Sequence, residues 1–499
     1  MKKIYVWMLI FGLSLAGCAG FEPEPAWQEL PAKTSTEDSK TEERESDASV
    51  TVDTTEAIET TEMDESEDAN TETETSSENA GETESEEEVL EDEVESQIAI
   101  ATDLHYLAKE LADNGAAFQS MLNKSDGMLT QYCWEITMAF LEQMEKEQPD
   151  VLILSGDLTK NGEKKSHEEL AKRLRKLEQA GVPVLVIPGN HDINSPHASG
   201  YRGDSTYSAQ QISAKQFEEI YRDFGYKEAR ARDPYSLSYV YELNDYTWIL
   251  MLDSCQYKPE NKVGGMIQEG TYEWLEEVLE EAWEEGVRLL PVTHHNLLEQ
   301  TNASEEFIRN CTIEHDERLI RMWEDNQINL HLSGHLHIQH YEKTENEDAP
   351  LYEVVTSSLS IYPCHYGILK IMNYGDMYYH TKCVPVSAWA KEHGKNDYNL
   401  LHFEEYAKEF LYDISYWSVY NSLQAHGLTV EQSERMAKLY ARLNPNFYAG
   451  TIPDEKEEIV TDPAYQMWRD SEYFSEAATT IQTMIEEEDQ NYNMLYIPY

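Results

Sequence analysis

Short apolar runs alternate along the body of the chain with stretches of helical periodicity. The runs at residues 96–105, 150–158 and 183–192 each end in a group of polar side chains. Between the second and third runs, leucines recur on one helical face, and a glycine follows that can end the helix. This order of strand, helix and strand predicts parallel strands joined by right-handed crossovers.

More apolar runs follow, at residues 246–254, 287–296, 328–337, 351–359 and 366–372. Many short strands with helices between them predict a layered α/β domain with two packed sheets, which we place at residues 97–386. The chain has 499 residues, which is long enough for this domain and a second, smaller one.

The pattern becomes helical in the last part of the chain, and we expect a small helical domain at residues 387–499. Residues 400–423 are amphipathic. Residues 429–432 form a capping box, which predicts a helix that ends before residues 444–445, because Pro445 disfavours a helical residue before it.

The first residues have the order of an export signal. Lys2 and Lys3 precede an apolar run, Ile4 to Leu15, and small residues then lead to Cys18. The run is too short to span a bilayer, and a cysteine after small residues resembles the bacterial lipobox. We therefore expect residues 1–18 to be a lipoprotein signal peptide, so that the protein is exported and anchored to the bacterial cell membrane through lipidated Cys18. An ordinary signal peptide cut nearby is the alternative.

Residues 19–96 are predicted to be a disordered, acidic spacer rich in Thr, Ser and Glu. Residues 34–96 carry 26 acidic and 2 basic residues, which is −24 of the formal net charge of −58. With almost no aromatic residues, this segment cannot bury enough surface to offset the entropy of ordering. A specific acidic docking tail is the alternative. The remaining net charge of −34 lies in the rest of the chain. It argues against nucleic-acid polymers as partners, because these bind basic grooves.

The cysteines offer no recognisable metal or disulfide framework. Five remain after Cys18, and none of them forms a close pair in the sequence. An odd and dispersed set is typical of small buried side chains, and whether any of them form disulfides stays open.

The polar groups that end the apolar runs are of metal-binding types. In chain order they are Asp103, His105, Asp157, Asn190, His191, His294, His295, His335 and His337. Because the carboxyl ends of parallel strands share one edge of a sheet, we expect these side chains to converge in one crevice. Imidazole suits Zn, Fe, Mn or Co, and this many ligands suit two ions that share a bridging carboxylate. Ligands at alternate positions need irregular strand ends in order to point inward together.

The motifs around these residues carry a family resemblance. Asp-x-His, Gly-Asp, Gly-Asn-His-Asp, His-x-Asn and Gly-His-x-His, in this order and each after a predicted strand, resemble the calcineurin-like metallophosphoesterase superfamily. The resemblance implies a four-layer α/β/β/α sandwich and two metal ions, which the sequence does not identify among Mn, Fe, Zn and Co. The insertion after Asp192 and the helical C-terminal domain resemble, more loosely, bacterial cyclic-nucleotide phosphodiesterases.

By position, the resemblance also implies a role for each motif residue. One metal is held by Asp103, His105 and His337, the other by Asn190, His294 and His335, and Asp157 bridges the two. His191 contacts the phosphate and protonates the leaving oxygen, and Asp192 orients His191. The family usually has a proline two residues after the histidine of the fourth motif, whereas this chain reads His294-His295-Asn296, so His295 stays open as the ligand instead of His294.

The implied reaction is hydrolysis of a small-molecule phosphate ester by a metal-activated hydroxide. A phosphodiester such as a cyclic nucleotide is our first choice of substrate, because few Arg or Lys residues lie near the motifs to hold a monoester. A phosphomonoesterase or 5′-nucleotidase is the alternative, and a binding lipoprotein without turnover is a third hypothesis. In the insertion, Tyr201, Arg202 and Tyr207 either contact the substrate or belong to a structural loop. The oligomeric state and the role of the helical domain stay open.

Overall fold

The computed structural model describes residues 94–300, 310–451, 456–470, 481, 485 and 490–498. The predicted signal peptide lies outside the described residues, and so does the predicted spacer up to residue 93. The described residues belong to one compact unit. No helix among them is both long enough and apolar enough to cross a membrane.

Most strands of the protein are short. They are β1 (Val94–Ala101), β2 (Val151–Leu154), β3 (Val184–Val186), β4 (Ser199–Arg202), β5 (Ser205–Ser208), β6 (Ala231–Arg232), β7 (Tyr239–Glu242), β8 (Thr247–Met251), β9 (Gly265–Met266), β10 (Arg288–Val292), β11 (Ile313–Glu314), β12 (Leu330–Ser333), β13 (His340–Lys343), β14 (Tyr352–Val355), β15 (His365–Met372), β16 (Met377–Cys383) and β17 (Met494–Ile497).

Two large sheets contain most of these strands. The first has the order β17-β16-β15-β1-β2-β3, and the second has the order β13-β14-β12-β10-β8-β7-β6. In the first sheet β1, β2 and β3 are parallel, with Ile98 opposite Val151 and Leu152 opposite Val184. In the second sheet β8, β10, β12 and β14 are parallel. The predicted parallel pairing of the first three runs is therefore confirmed.

The helices lie between and after the strands. They are α1 (Ala116–Leu122), α2 (Cys133–Glu147), α3 (Lys164–Gln179), α4 (Ala214–Ile220), α5 (Glu269–Glu285), α6 (Asp316–Asp325), α7 (Val386–Glu392), α8 (Tyr398–Leu401), α9 (Phe403–Ala425), α10 (Val430–Ala449), α11 (Lys456–Thr461) and α12 (Pro463–Arg469).

Alternate residues of the second sheet face two different cores. Ile249 and Met251 of β8 belong to the same core cluster as Ile98 of β1, so the two sheets pack face to face. Trp248 and Leu250 point the other way and share a second cluster with buried residues of α5 and α6. Because α2 and α3 contribute buried residues on the first sheet's side, the predicted four-layer α/β/β/α sandwich is confirmed.

The C-terminal part of the chain combines helices with one strand. Helices α9, α10 and α12 share a core cluster of their own. Strand β17, which the sequence did not predict, pairs antiparallel with β16 at the edge of the first sheet. The C-terminal residues thus complete a sheet that begins in the predicted catalytic domain.

Helix α10 runs to Ala449 with Pro445 inside it, so its predicted end before residues 444–445 is wrong. Asn444 and Pro445 are buried, and the Asn444 side chain donates a hydrogen bond to Ser415 Oγ of α9 at 2.9 Å. Packing against α9 therefore offsets the backbone hydrogen bond that the proline removes.

Candidate metal centre

The backbone after the parallel strands is left-handed at several metal-ligand positions. The φ angle lies between 42° and 70° at Asp103, His105, Asp157, His335 and His337. This conformation is rare outside glycine and persists only where the surrounding structure supports it. It provides the irregular strand ends that the alternate spacing of Asp103 and His105 required.

A first group of possible ligands follows β1 and β12. The Nε2 atoms of His105 and His337 lie 3.0 Å apart. Asp103 Oδ1 is 3.2 Å from His337 Nε2 and 3.7 Å from His105 Nε2. Together with Asp157, these buried residues present four ligand atoms within 4.8 Å of one another, which is suitable for a metal ion.

A second group lies beside the first. His294 Nε2 is 3.1 Å from Asn190 Oδ1 and 3.2 Å from His335 Nδ1. The outer nitrogens of both rings donate to backbone carbonyls, His294 Nδ1 to Ser155 at 2.9 Å and His335 Nε2 to Asn310 at 3.0 Å. These bonds set the tautomers of the neutral rings, so that a metal ion would meet an unprotonated inner nitrogen on each, an arrangement usual for metal-binding histidines.

Asp157 joins the two groups through a single oxygen atom. Its Oδ2 lies 3.8 Å from His105 Nε2 and 3.5 Å from His294 Nε2. Its Oδ1 accepts a hydrogen bond from the His191 backbone N–H at 2.8 Å, which fixes the carboxylate. The structure therefore brings together all seven residues predicted as metal ligands, with Asp157 between the two sets.

The ionisable groups of the centre shift one another's pKa values. Burial by itself would raise the pKa of Asp157, but His294 and His191 lower it well below its usual range. Burial by itself would lower the pKa of His294, but the nearby Asp157 and Asp103 raise it to about 9. Burial and the charge of His294 lower the pKa of His335 to about 3. A centre that draws a proton this strongly to one histidine also attracts a cation.

The donor set fits metal ions. Ring nitrogens of two histidine pairs, His105 with His337 and His294 with His335, meet at about 3 Å, and imidazole nitrogens grouped this closely suit a shared metal ion. Asp103 Oδ1 is buried and has no hydrogen-bond partner among the residues that the structure describes. A buried carboxylate oxygen without a donor is costly, and a metal ion would satisfy it.

His295 is placed differently from His294, and both of its ring nitrogens have protein partners. Its Nδ1 lies 2.8 Å from Ser254 Oγ, and its Nε2 donates to the Val263 carbonyl at 2.7 Å. Although its ring borders His335, binding a metal would break one of these bonds. The geometry therefore favours His294 as the ligand.

His191 points its Nε2 toward the same bridging oxygen. The distance from His191 Nε2 to Asp157 Oδ2 is 3.9 Å. The other nitrogen, Nδ1, donates to Asn161 Oδ1 at 2.9 Å and to the Lys160 carbonyl at 3.1 Å. Burial, helped by the charge of Lys160, lowers the pKa of His191, while Asp157 opposes this. The ring is therefore held with one nitrogen at the centre.

Asp192 does not have the orienting contact that the resemblance implied. Its carboxylate accepts hydrogen bonds from the backbone N–H groups of Leu158, Thr159 and Gly189 at 2.9–3.0 Å. It thereby ties the loop after β2 to the loop after β3. The orienting role implied for Asp192 is corrected, since Asn161 and the Lys160 carbonyl hold the His191 ring.

Asn161 and Lys160 were missed by the sequence reasoning. The signal was present, because both stand in "GDLTKNG" directly after the Gly-Asp motif, on a loop that must return past the bridging carboxylate. Among the insertion residues, Tyr201 is buried against Phe118, with ring centroids 5.8 Å apart. Tyr201 is therefore structural, whereas Arg202 and Tyr207 are exposed on the β4–β5 hairpin.

Comparison with family models gives two matches along the chain. Residues 96–339 match the model described as calcineurin-like phosphoesterase. Residues 385–491 match the model described as the C-terminal domain of cyclic nucleotide phosphodiesterase. The family resemblance predicted from the motifs is therefore confirmed.

Individual proteins show more limited similarity. A probable cyclic nucleotide phosphodiesterase of Synechococcus sp. is 30% identical over 126 residues, which cover 24% of this chain and 42% of that protein. The chain thus spans less than half the length of this curated relative. A dimetal phosphatase structure from Danio rerio has 11% identity and a TM-score of 0.41, and the match covers 58% of this chain and 97% of that one. A purple acid phosphatase structure from yellow lupin (Lupinus luteus) has 13% identity and a TM-score of 0.35, and the match covers 58% of this chain and 51% of that one.

Proposed function

Residues 96–339 form a calcineurin-like phosphoesterase domain, and from this premise we propose that the protein hydrolyses the phosphodiester bond of cyclic nucleotides with two metal ions. The observation that carries the proposal is the position of Asp157 Oδ2, which faces His105 Nε2 and His294 Nε2 at once. The match of residues 385–491 to the C-terminal domain of cyclic nucleotide phosphodiesterase supports the substrate class.

The chain's own residues divide between the two ions. One ion would be held by Asp103, His105 and His337, the other by Asn190, His294 and His335, with Asp157 shared between them. When bound, two such ions make hydroxide available near neutral pH and stabilise negative charge on the phosphate. The mixture of imidazole and carboxylate ligands suits Mn, Fe, Zn or Co.

His191 is the residue proposed to protonate the leaving oxygen. Asn161 and the Lys160 carbonyl accept the Nδ1 proton, so any further proton sits on Nε2, which faces the centre. Because burial lowers the pKa of His191, its protonated form is a stronger acid than free imidazolium. A proton at this position can pass to the alcohol as the ester bond breaks.

The test uses protein stripped of metal and resupplied with Mn, Fe, Zn or Co one at a time. We would compare hydrolysis of bis-p-nitrophenyl phosphate, p-nitrophenyl phosphate and 3′,5′-cyclic AMP. We expect metal-dependent turnover that favours the diester over the monoester. Preference for the monoester would replace the proposal with a phosphomonoesterase, and absence of turnover with two ions bound would contradict catalysis altogether.

A matched pair of variants distinguishes an effect on the metal centre from the effect of removing any one negative charge. Asp157→Asn keeps the size of the side chain but weakens the shared ligand, so both metal content and turnover should fall. Asp245→Asn changes an exposed aspartate in the turn between β7 and β8, and turnover should stay at the wild-type level.

We also propose that the protein is exported and membrane-anchored. The proposal rests on the order of Lys2, Lys3, the apolar run and Cys18. Labelling of cells with a radioactive fatty acid should mark the wild-type protein and fail to mark Cys18→Ser. Recovery of unlabelled wild-type protein from the cytoplasm would contradict it.

A further inference from the structure

A glutamate stands inside a buried strand of the second sheet. Glu353 of β14 is fully buried, and the next residues along the strand, Val354 and Val355, belong to the apolar interior. A carboxylate at such a position costs free energy unless hydrogen-bond donors surround it. The proposed reaction does not use Glu353, so its surroundings must give the reason for its presence.

Both oxygens of Glu353 accept two hydrogen bonds each. Oε1 accepts from the Leu297 N–H at 2.8 Å and from Ser333 Oγ at 2.7 Å. Oε2 accepts from the Leu298 N–H at 2.6 Å and from Gln300 Nε2 at 2.9 Å. The carboxylate thus binds two segments of the chain at once, the loop that follows β10 and the end of β12.

These two segments carry both histidines of the second ion, the one proposed to bind Asn190, His294 and His335. His294 lies three residues before Leu297, and His335 lies two residues after Ser333. The inner nitrogens, His294 Nε2 and His335 Nδ1, are 3.2 Å apart. The spacing of the two segments therefore decides whether both rings can bind the same ion.

Further hydrogen bonds join the two segments directly. The Gly334 N–H donates to the His294 carbonyl at 3.0 Å. The Asn296 amide donates to Ser333 Oγ and to the Gly334 carbonyl, both at 3.0 Å. Since Ser333 Oγ accepts from Asn296, its own proton is donated to Glu353. The carboxylate therefore belongs to a continuous network between the two ligand segments, and such networks hold their members rigidly.

The amide of Gln300 is oriented by a histidine outside the metal centre. His340 Nδ1 donates to Gln300 Oε1 at 3.0 Å, so the amide turns its Nε2 toward Glu353. The His340 ring stacks on Tyr492, with ring centroids 3.9 Å apart. The C-terminal part of the chain thus packs against the same network.

We infer that Glu353 is a positioning residue for the second ion, because its carboxylate holds the loop after β10 and the end of β12 at the spacing that His294 and His335 need. This inference rests on the proposed function and adds what fixes one half of the metal centre. Glu353 acts through two backbone N–H groups and through Ser333, and not as a ligand. A carboxylate is required because all four partners donate, whereas an amide would turn a donor toward two of them.

The test measures the affinity of each ion in Glu353→Gln, which keeps the size of the side chain but sets its amino group against a backbone N–H. Equilibrium dialysis against Mn²⁺, and separately against Zn²⁺, is carried out at pH 8, above the pKa of about 7 to which burial raises Glu353. One ion should bind about tenfold more weakly, and the other should bind as in the wild-type protein. Anomalous diffraction should place the weakened ion against His294 and His335.

A second variant and a control distinguish positioning from general loss of stability. Ser333→Ala removes one donor of Glu353 with little change in volume and should weaken the same ion by about threefold, so it decides the question if Glu353→Gln does not fold. Asp233→Asn is the matched control. Buried Asp233 also accepts from a backbone N–H, that of Tyr235 at 2.9 Å, and from a hydroxyl, that of Thr271 at 2.6 Å, and these partners lie outside both ligand segments. The control should lower the free energy of unfolding and leave both ion affinities unchanged.

The outcomes separate this inference from the proposed function. Equal weakening of both ions, unchanged affinities in Glu353→Gln and Ser333→Ala, or the same selective weakening in Asp233→Asn would each overturn the inference. Two ions bound by the wild-type protein without hydrolysis of any ester would contradict the proposed function, while the affinities in the variants would still decide the role of Glu353. Binding of fewer than two ions by the wild-type protein would overturn both.

Discussion

Gly189 stands where the chain leaves no space for a side chain beside the bridging carboxylate. A Cβ atom at this position would lie 2.1 Å from Asp157 N and 2.2 Å from Asp157 Oδ1. Both atoms belong to the residue that holds the two ligand groups together. Gly189→Ala therefore tests whether the proposed centre depends on the position of Asp157.

The size of the effect follows from these distances. Ordinary contacts begin near 3.4 Å, so Asp157 must move by about 1 Å, whereas metal–ligand distances tolerate about 0.2 Å. Strain of this kind also costs about 1–3 kcal/mol of folding free energy. We expect Gly189→Ala to weaken binding at the shared metal site and to reduce diester turnover by about a hundredfold.

The assay measures bound metal by mass spectrometry together with turnover of bis-p-nitrophenyl phosphate. Gly203→Ala is the matched control, because a Cβ at Gly203 meets nothing within 4 Å although its φ is +56°. That control should lose about 1 kcal/mol of stability through backbone strain while keeping both metals. A Gly189→Ala protein with full metal content and full turnover would show that the centre does not depend on the position of Asp157.

Three further predictions concern His191, the buried His331 and the contribution of bound metal to stability. Asn161→Ala removes one of the two acceptors of the His191 Nδ1 proton, and the lost hydrogen bond is worth about 1 kcal/mol. Turnover should therefore fall about fivefold for an ester with a poor leaving group and little for a p-nitrophenyl ester. Equal losses on the two esters would contradict the role of His191 as an acid. Burial lowers the pKa of His331 to about 3, so the unfolded state takes up a proton first as the pH falls below about 6.5, and this residue contributes a fall of about 1.4 kcal/mol per pH unit to the free energy of unfolding. His331→Gln should reduce the slope in urea titrations between pH 6 and 4.5 by about this amount, while buried His167 and His340 keep their own contributions; an unchanged slope would contradict the prediction. Chelation should lower the melting temperature of the wild-type protein but not that of Asp157→Asn, and an equal response of both proteins would place the stabilising metal elsewhere.

The sequence predicted the fold and the convergence of the site well, because both depend on local patterns. The apolar runs mark β1, β2 and β3, and each ends in ligand types at the carboxyl edge of the sheet. Asp103, Asp157 and His294 come together in the structure as those positions required. The choice between His294 and His295 depended on ring direction, which neighbouring residues in the sequence do not specify.

Other features depended on contacts between distant parts of the chain. The sequence did not reveal that Asn161, and not Asp192, holds His191, because this is set by how two loops cross. Strand β17 and the continuation of α10 through Pro445 likewise result from tertiary packing that overrides local propensity.

We propose that one carboxylate oxygen, Asp157 Oδ2, would be shared by two metal ions. Anomalous diffraction from crystals grown with the activating metal tests it most directly. We expect two peaks about 3.5–4 Å apart, one against His105 and His337 and the other against His294 and His335, with Asp157 between them. A single peak, or a second peak bound by His295 away from Asp157, would contradict it.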